Sequence, residues 1–567
     1  MYNANVLGWR LNEAERAISP ASAARLQEKW RFPSRDSGEE IGVVHATPIV
    51  VNGHVYFGTA SDPAFYKLAP DGTLKWVYRN PAHRRAVVDF NNQRVRASRF
   101  QPSLNGILGS ALVTSECVFY GDLGGWFYAL DRTTGQERWK VNSRSAAFPG
   151  AHALNCFFAS PILAEGCVIA AGGTLEQMAA ALPVYKAASG RGFVVAFELG
   201  TGKIAWKFDL GPEPKPLDPP LVITDSWGKH AFHYGPGTSS IWSTPSFDAQ
   251  THTLYFGTDV NTSPRRPTPD NPRTDTPESC AIVALDARDG SRKWVTQLSP
   301  GDVWTNAMRA YNPEEGRYKD QSIGDTPKIL SIHVDGRPMS VVGVGSKNGA
   351  FYLLNAADGA IVAHTPLYTG PPAYPLSPPP DKRMLALPSP IGGLQTGCAT
   401  DGRSIFTNGI DALQMGTLEK QTAAAVPPTG GRVVCLSTDL QTEHWRHERP
   451  KIARLGGPPP AAVYTNVGDP VASGIAVANG VLFFTTVASG KLVALNAANG
   501  QVLKELALGP VWSGPSVSRG RVYVGTGNTL LSSANYESYF PKQYTGALYS
   551  FGIPEEDEVD RLGRGNE

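Results

Sequence analysis

The chain has 567 residues, among them 59 Gly, 46 Pro, 22 Phe, 20 Tyr and 12 Trp, and only 18% of it is charged. That composition fits many short strands joined by tight turns and excludes helical bundles and coiled coils, while 41% hydrophobic content excludes a disordered chain. Lys plus Arg total 52 against 50 for Asp plus Glu, a formal charge of +2, so no global field gathers nucleic acid or an anionic membrane.

The N-terminus, MYNANVLGWRLNEAER, has neither a basic leader nor an apolar core. The expectation is either a cytosolic protein or one whose signal peptide has been removed and replaced by an initiator Met. No apolar run approaches the roughly 18 residues of a membrane span. Cysteines 117, 156, 167, 280, 398 and 435 are scattered, with no CxxC, no CxxCH and no adjacent pair. That excludes a covalently attached c-type haem and the usual zinc spacings, and leaves disulfides open.

A unit recurs along the chain: an apolar strand, a turn ending in Gly, a strand like YFGT, a strand like FYALD, a TG turn, then Trp. The clearest copy is GSALVTSECVFYGDLGGWFYALDRTTGQERW, from Gly109 to Trp139. The anchors of the third strand are Leu68, Leu130, Phe197, Leu285, Leu354, Leu436, Leu495 and Phe551. Eight units of alternating apolar strands predict eight four-stranded antiparallel blades. Asn52-Gly53 and Asn479-Gly480 are hairpin turns, because both central residues tolerate positive φ. In four copies a Trp follows the turn Gly by four residues (Gly72/Trp76, Gly135/Trp139, Gly202/Trp206, Gly290/Trp294) and reads as mortar between blades; Ala363 and Lys504 stand where two copies lack it.

The eighth unit runs from Phe551 into an acidic tail, 554–567, without a fourth strand of its own. Gln27–Phe32 is predicted to supply that strand and close the ring, which removes exposed sheet edges. The expected fold is therefore all-β: a single eight-bladed β-propeller over residues 1–567, closed by an N-terminal strand. Long inserts near 79–105, 208–238, 262–280, 301–330 and 366–395 sit on this scaffold, where long loops are more often functional than not. The stretch Arg79–Arg99 carries six arginines and suits either a polyanionic ligand or a solvated loop.

The repeat FYALDxxTGxxxW resembles that of the quinoprotein dehydrogenases, and RLNEAERAISPASAARLQEKWRF is similar to that family's opening segment. GVVHATPIVVNGHVYFGT is most similar to the polyvinyl alcohol dehydrogenase group. The resemblance implies pyrroloquinoline quinone (PQQ) on the propeller axis and Ca²⁺ beside it. Trp242, in IWSTPSFDAQTHTLYFGT, matches the family's stacking platform for the quinone. Glu176 in AAGGTLEQ and Asn261 in YFGTDVNTS match its metal ligands, with Asp259 nearby, and Lys347 in GSKNGAFYLL matches the cation beside the reactive carbonyl. The family's general base is an Asp after a Trp; here SPGDVWTNAM puts Thr305 at that place, and Asp302 is the best remaining carboxylate.

The implied activity is oxidation of an alcohol, small or polymeric. Electrons would pass to a separate cytochrome c or other acceptor, in a periplasmic or secreted setting. No nucleic-acid partner and no membrane span are expected. The alternative is a non-catalytic scaffold of the cell envelope, because outer-membrane assembly-factor propellers use similar repeats without the cofactor.

Overall fold

The computed structural model describes residues 1–85, 89–90, 93–94, 105–179, 185, 188–226, 228–238, 240–305, 317–375, 384–411, 430–456, 462–527 and 545–554. Blade 1 is the antiparallel sheet Ile49–Val51, His54–Gly58, Phe65–Leu68 and Leu74–Tyr78. Blades 2 to 7 repeat it over residues 112–142, 162–209, 246–297, 328–366, 399–448 and 476–507. Blade 8 combines Ser516–Ser518, Arg521–Gly525 and Leu548–Gly552 with the N-terminal strand Gln27–Phe32, so the expected closing strand pairs antiparallel with the last strand of the chain. The six cysteines are free thiols. Most of the Arg79–Arg99 insert and the acidic tail beyond 554 lie outside the described residues.

The tryptophans act between blades as their spacing predicts. The indole N–H of Trp30, Trp76, Trp139, Trp206, Trp294 and Trp445 donates to a backbone carbonyl of the next blade at 2.9 to 3.2 Å: Trp206 to Ala287 at 3.0 Å, Trp294 to Ala356 at 3.0 Å and Trp139 to Leu199 at 2.9 Å are typical. Each ring also covers a turn glycine of that next blade: a Cβ on Gly135 would sit 2.6 Å from Trp76, and on Gly290 2.5 Å from Trp206. Those glycines have φ of +74°, so both the backbone and the space require Gly. Buried Trp thus supplies apolar area and a satisfied polar tip at the same seam.

The seam between blades 7 and 8 has Lys504 where Trp is absent, and the N-terminal segment fills it. Ile18, Ala23 and Leu26 pack with Val481, Val517 and Val522 in one apolar cluster, and the Gly520 N–H donates to Glu15 Oε2 at 3.0 Å. Farther upstream, residues 6–12 run across the first strands of blades 4 to 8. Their carbonyls accept from Phe247 (Val6), Ile329 (Leu7), Thr400 (Trp9) and Val477 (Arg10). Leu11–Asn12 pairs parallel with Val477–Ala478, and Asn12 Nδ2 donates to Val517 O at 2.8 Å.

At the axis the eight blades differ. The residue lying two positions ahead of each first strand is Thr47, Ser110, Ser160, Thr244 and Thr326 in blades 1 to 5, but Gly397, Gly474 and Gly514 in blades 6 to 8. All but Gly397 line one cavity. Two inserts lie near it. The hairpin Lys215–Asp225 with Gly228–Gly235 packs Leu217, Ile223 and Phe232 against Trp304 and Tyr318. Its turn residue Ser226 bonds through Oγ with both the N–H and the carbonyl of Met384, in the hairpin Ala373–Pro375 with Met384–Ala386.

Candidate functional site

The axial cavity has a volume of about 330 Å³, and its wall includes Trp242, Trp304, Trp512, His45, Asp259, Asp320, Lys347 and Tyr2. Trp242 is half-buried, and its far ring edge lies against Gly324, where any Cβ would collide with it. His45 stacks on Trp512 with ring centroids 6.0 Å apart and 20° between planes. Burial pulls the His45 imidazole down to about 4, so it is neutral at physiological pH.

Of the residues singled out from sequence, Trp242, Asp259 and Lys347 face this cavity together. Lys347 sits in the turn after Arg337–Gly345, where its N–H donates to Ser322 O at 3.1 Å. Its ammonium pairs with Asp320 Oδ2 at 2.7 Å, both side chains 5% exposed. Ser322 Oγ lies between the two acids, within hydrogen-bond reach of Asp259 Oδ1 and, at 2.8 Å, of Asp320 Oδ1, and its single hydrogen serves one of them at a time. Burial, and then the neighbouring Asp259 charge, push Asp320 up to about 7 against the opposing pull of Lys347.

Asp302 is buried but is not part of the cavity wall. Its Oδ1 accepts the N–H of Lys319 at 2.8 Å and its Oδ2 that of Gln321 at 2.7 Å. The carboxylate therefore grips the backbone on both sides of Asp320 and fixes that side chain against Lys347. Burial raises the Asp302 pKa against the pull of those two amides. Thr305 is buried beside Trp304, whose Nε1 is buried without a hydrogen-bond partner among the described residues.

Glu176 opens the short helix Glu176–Ala179 and is fully buried. Its oxygens accept from Tyr185 OH at 2.6 Å, Ser189 N–H at 2.9 Å and Gly190 N–H at 2.5 Å, with His152 Nε2 at 3.3 Å. Burial pushes this carboxyl up, but His152 and the donors around it outweigh that and hold it below its ordinary value. Asn261 lies in the short strand Asn261–Ser263, paired with Gly237–Thr238. Its Oδ1 accepts from Thr276 Oγ1 at 3.1 Å, and its Nδ2 is buried with no partner among the described residues. Glu176 and Asn261 meet through backbone: Gly190 donates to Glu176, and the Gly190 carbonyl accepts from Thr238, the strand partner of Asn261. Neither side chain is in the cavity wall, and among the described residues no three His, Cys, Asp or Glu side chains converge as a metal cluster.

Asp320, His45 and Tyr2 were not signalled by the repeat. Asp320 is one of two acids just ahead of blade 5, in KDQSIGDTPKI; the motif comparison points instead to the Trp304 neighbourhood sixteen residues upstream.

Residues 13–366 match the family model described as glucose/ethanol/alcohol dehydrogenase, beta-propeller domain, and residues 419–538 match that of outer membrane protein assembly factor BamB. The chain is 26% identical over 354 residues to the quinohemoprotein alcohol dehydrogenase ADH-IIG of Pseudomonas putida, covering 61% of this chain and 42% of that protein. It is 26% identical over 403 residues to the polyvinylalcohol dehydrogenase of Sphingopyxis sp. (strain 113P3), covering 69% of this chain and 51% of that one. A polyvinylalcohol dehydrogenase of Pseudomonas sp. is 24% identical over 531 residues, with 91% of this chain and 71% of that protein covered. The chain thus spans about half the length of the first two of these relatives. The crystal structure of the quinohemoprotein alcohol dehydrogenase from Comamonas testosteroni superposes with a TM-score of 0.67 at 19% identity, covering 97% of this chain and 80% of that one, a likeness of fold.

Proposed function

The chain belongs to the glucose/ethanol/alcohol dehydrogenase β-propeller family, and from that premise we propose that it oxidises an alcohol with PQQ bound in the axial cavity. The observation that carries this reading is the buried Lys347–Asp320 pair in the same cavity wall as Trp242. The wall suits the group: the flush indole of Trp242 offers a flat π face, and Trp304 Nε1 is a buried donor without a partner. When bound, the quinone takes the two electrons of the alcohol carbon as hydride.

The remaining steps belong to this chain. Asp320 accepts the hydroxyl proton, which leaves a carbonyl product and a neutral carboxyl. A carboxylate raised to about 7 is a far better proton acceptor near neutral pH than an ordinary Asp. Lys347 keeps that acid oriented and adds positive charge where negative charge develops. Asp302 acts through the backbone at Lys319 and Gln321 and is a positioning residue for Asp320.

Calcium is the metal this reading carries: Asp259 would offer it a hard oxygen from the cavity wall, while Asn261 and Glu176, the other candidate ligands, are not in that wall and would reach the ion only by turning toward the cavity. The unpartnered amide end of Asn261 supports that, since an Asn amide turned about its axis exchanges N for O. Bound there, the ion would polarise a quinone carbonyl as a Lewis acid. The names of the polyvinylalcohol dehydrogenase relatives support a polyol or polymeric alcohol as substrate. A separate cytochrome c or similar acceptor, and a periplasmic or secreted location, complete the proposal.

The test is a titration of purified protein with PQQ and Ca²⁺, followed by dye reduction against alcohols from ethanol to polyvinyl alcohol. Quinone binding with turnover of one class is expected; absence of quinone binding sinks the reading. A second reading, a protein-binding scaffold without catalysis, is favoured by the match of residues 419–538 to the assembly-factor family. It requires that PQQ does not bind.

A further inference from the structure

The axial cavity is not uniform around the ring. Where blades 4 and 5 face it, the wall is charged and well covered: Asp259, Asp320, Lys347 and Trp304 are all buried. Where blades 2 and 3 face it, the large side chains are apolar and less covered. Leu108 precedes the first strand of blade 2, Phe158 precedes that of blade 3, and Met178 follows the second strand of blade 3. All three belong to the cavity wall, and all three are half-buried.

They form one surface. Leu108, Phe158 and Met178 pack against the same buried cluster, and Leu175 within that cluster also reaches the wall. Each therefore has one side against the core and another left uncovered. The hydroxyls of the same arc are committed to backbone: Ser110 Oγ donates to Thr47 O at 2.8 Å, Ser160 Oγ accepts the Ser110 N–H at 2.9 Å, and Ser240 Oγ donates to Thr174 O at 3.0 Å. Gln177 is the polar exception beside Met178, and its amide nitrogen is itself buried.

Apolar surface facing a cavity gains by being covered with hydrocarbon, whereas hydroxyl groups set against it lose their hydration and find no partners. The two arcs thus make opposite demands on one molecule: a carbinol group at Asp320 and Lys347, and hydrocarbon at Leu108, Phe158 and Met178. We propose that the substrate is an alcohol carried on an apolar body, and that Leu108, Phe158 and Met178 select it over a polyol of similar size. The inference rests on the alcohol-oxidising reading and narrows its substrate, because the names of the relatives leave a polyol open.

The test assays the PQQ-loaded protein on primary alcohols from ethanol to 1-hexanol and on 1,2,6-hexanetriol. Tertiary alcohols of matching length, which have no hydrogen on the carbinol carbon to lose, are titrated by calorimetry as a binding readout independent of turnover. The wild-type kcat/KM should rise about threefold to fourfold per added methylene, mostly through KM, as each CH₂ leaves water. It should be about tenfold or more higher for 1-hexanol than for the triol. The tertiary alcohols should bind with the same length gradient and with a heat-capacity change that grows more negative along the series. Met178→Gln, which keeps the length of the side chain and makes its end polar, should cut the ratio of 1-hexanol to ethanol kcat/KM about threefold to tenfold. Should that variant fail to fold, Leu108→Asn carries the same comparison. A flat length series, a preference for the triol, or an unchanged ratio in the variants overturns the inference and leaves the alcohol-oxidising reading intact. Absence of turnover with every alcohol overturns that reading, and this substrate with it, even where the tertiary alcohols bind.

Discussion

At the rim of the ring, six seams repeat one solution, a tryptophan laid over the next blade's turn and bonded to its carbonyl. At the axis the same blades diverge, with hydroxyls in blades 1 to 5 and glycines in blades 6 to 8. Both regions are buried and both join neighbouring blades, so burial alone does not explain the difference. The rim needs the same contact at each step, because closure requires each blade to meet the next at a similar angle. The axis is where the steps converge, and one ligand or one intruding segment meets all of them at once; uniformity there would leave no room for a site. Repetition therefore marks what holds the ring, and departure from it marks what the ring holds.

Substitutions in the two regions should separate along that line. The largest effect is expected at Asp320→Asn, which should lower kcat by about 10²- to 10⁴-fold and also lower Tm, because the buried Lys347 ammonium loses its charged partner. In the wild type, kcat/KM should rise with pH and then level off, because only the ionised carboxylate accepts a proton and burial has raised its pKa above that of an ordinary Asp. Loss of that limb in Asp320→Asn, read in a stopped-flow pH series, is the corroborating signature; an unchanged profile would place the base elsewhere.

At the rim, Trp206→Ala should cost about 3–5 kcal/mol of stability in urea unfolding, since a large buried ring and its hydrogen bond are lost together. Activity of the folded fraction should persist. A fall in activity per folded molecule would break the division between rim and axis. Gly290→Ala attacks the same seam from the other side, through a Cβ 2.5 Å from the Trp206 ring and a backbone at φ +74°. About 1–3 kcal/mol is expected from that crowding.

The smallest effect belongs to the seam between blades 7 and 8, where Lys504 stands in place of a tryptophan. Glu15→Gln weakens the bond to the Gly520 N–H and should cost about 1 kcal/mol. Its readout is faster hydrogen exchange in residues 516–525, with the other seams unaffected. Faster exchange around the whole ring would mean that this seam is the weak point of global unfolding.

The rim was legible in the sequence because its contacts are local in pattern: an anchor, a turn glycine and a tryptophan recur at fixed offsets, as in Gly135 and Trp139. Gln27–Phe32 was legible because the last repeat lacked one strand and only one N-terminal stretch could supply it. The axis was legible in part. Trp242 and Lys347 lie in stretches, IWSTPSFDAQTHTLYFGT and GSKNGAFYLL, that resemble segments of the family, so the resemblance finds them. Asp320 does not: its place comes from Asp302 holding the amides of Lys319 and Gln321, a relation across seventeen to nineteen residues of irregular loop. Asp302 drew notice as a carboxylate beside Trp304, and its grip on the neighbouring backbone depends on a loop path that no periodicity encodes. The course of residues 1–12 was equally hidden, since its partners are main-chain groups in five different blades.

The closing strand also sets an order of events in time. Arg31 bonds to Tyr549, 518 residues away, and Gln27–Phe32 has no sheet partner other than the strand Leu548–Gly552 among the described residues. Gln27–Phe32 must therefore wait without its sheet partner until Leu548–Gly552 has been made. Through that interval the blades can stack only as an open arc, with a sheet edge at each end and the axis accessible from the side. Such long-range pairing makes the last step slow and exposes the arc to self-association. The same gap would let a flat ligand or the Tyr2–Arg10 segment settle against the inner strands before the circle shuts over it.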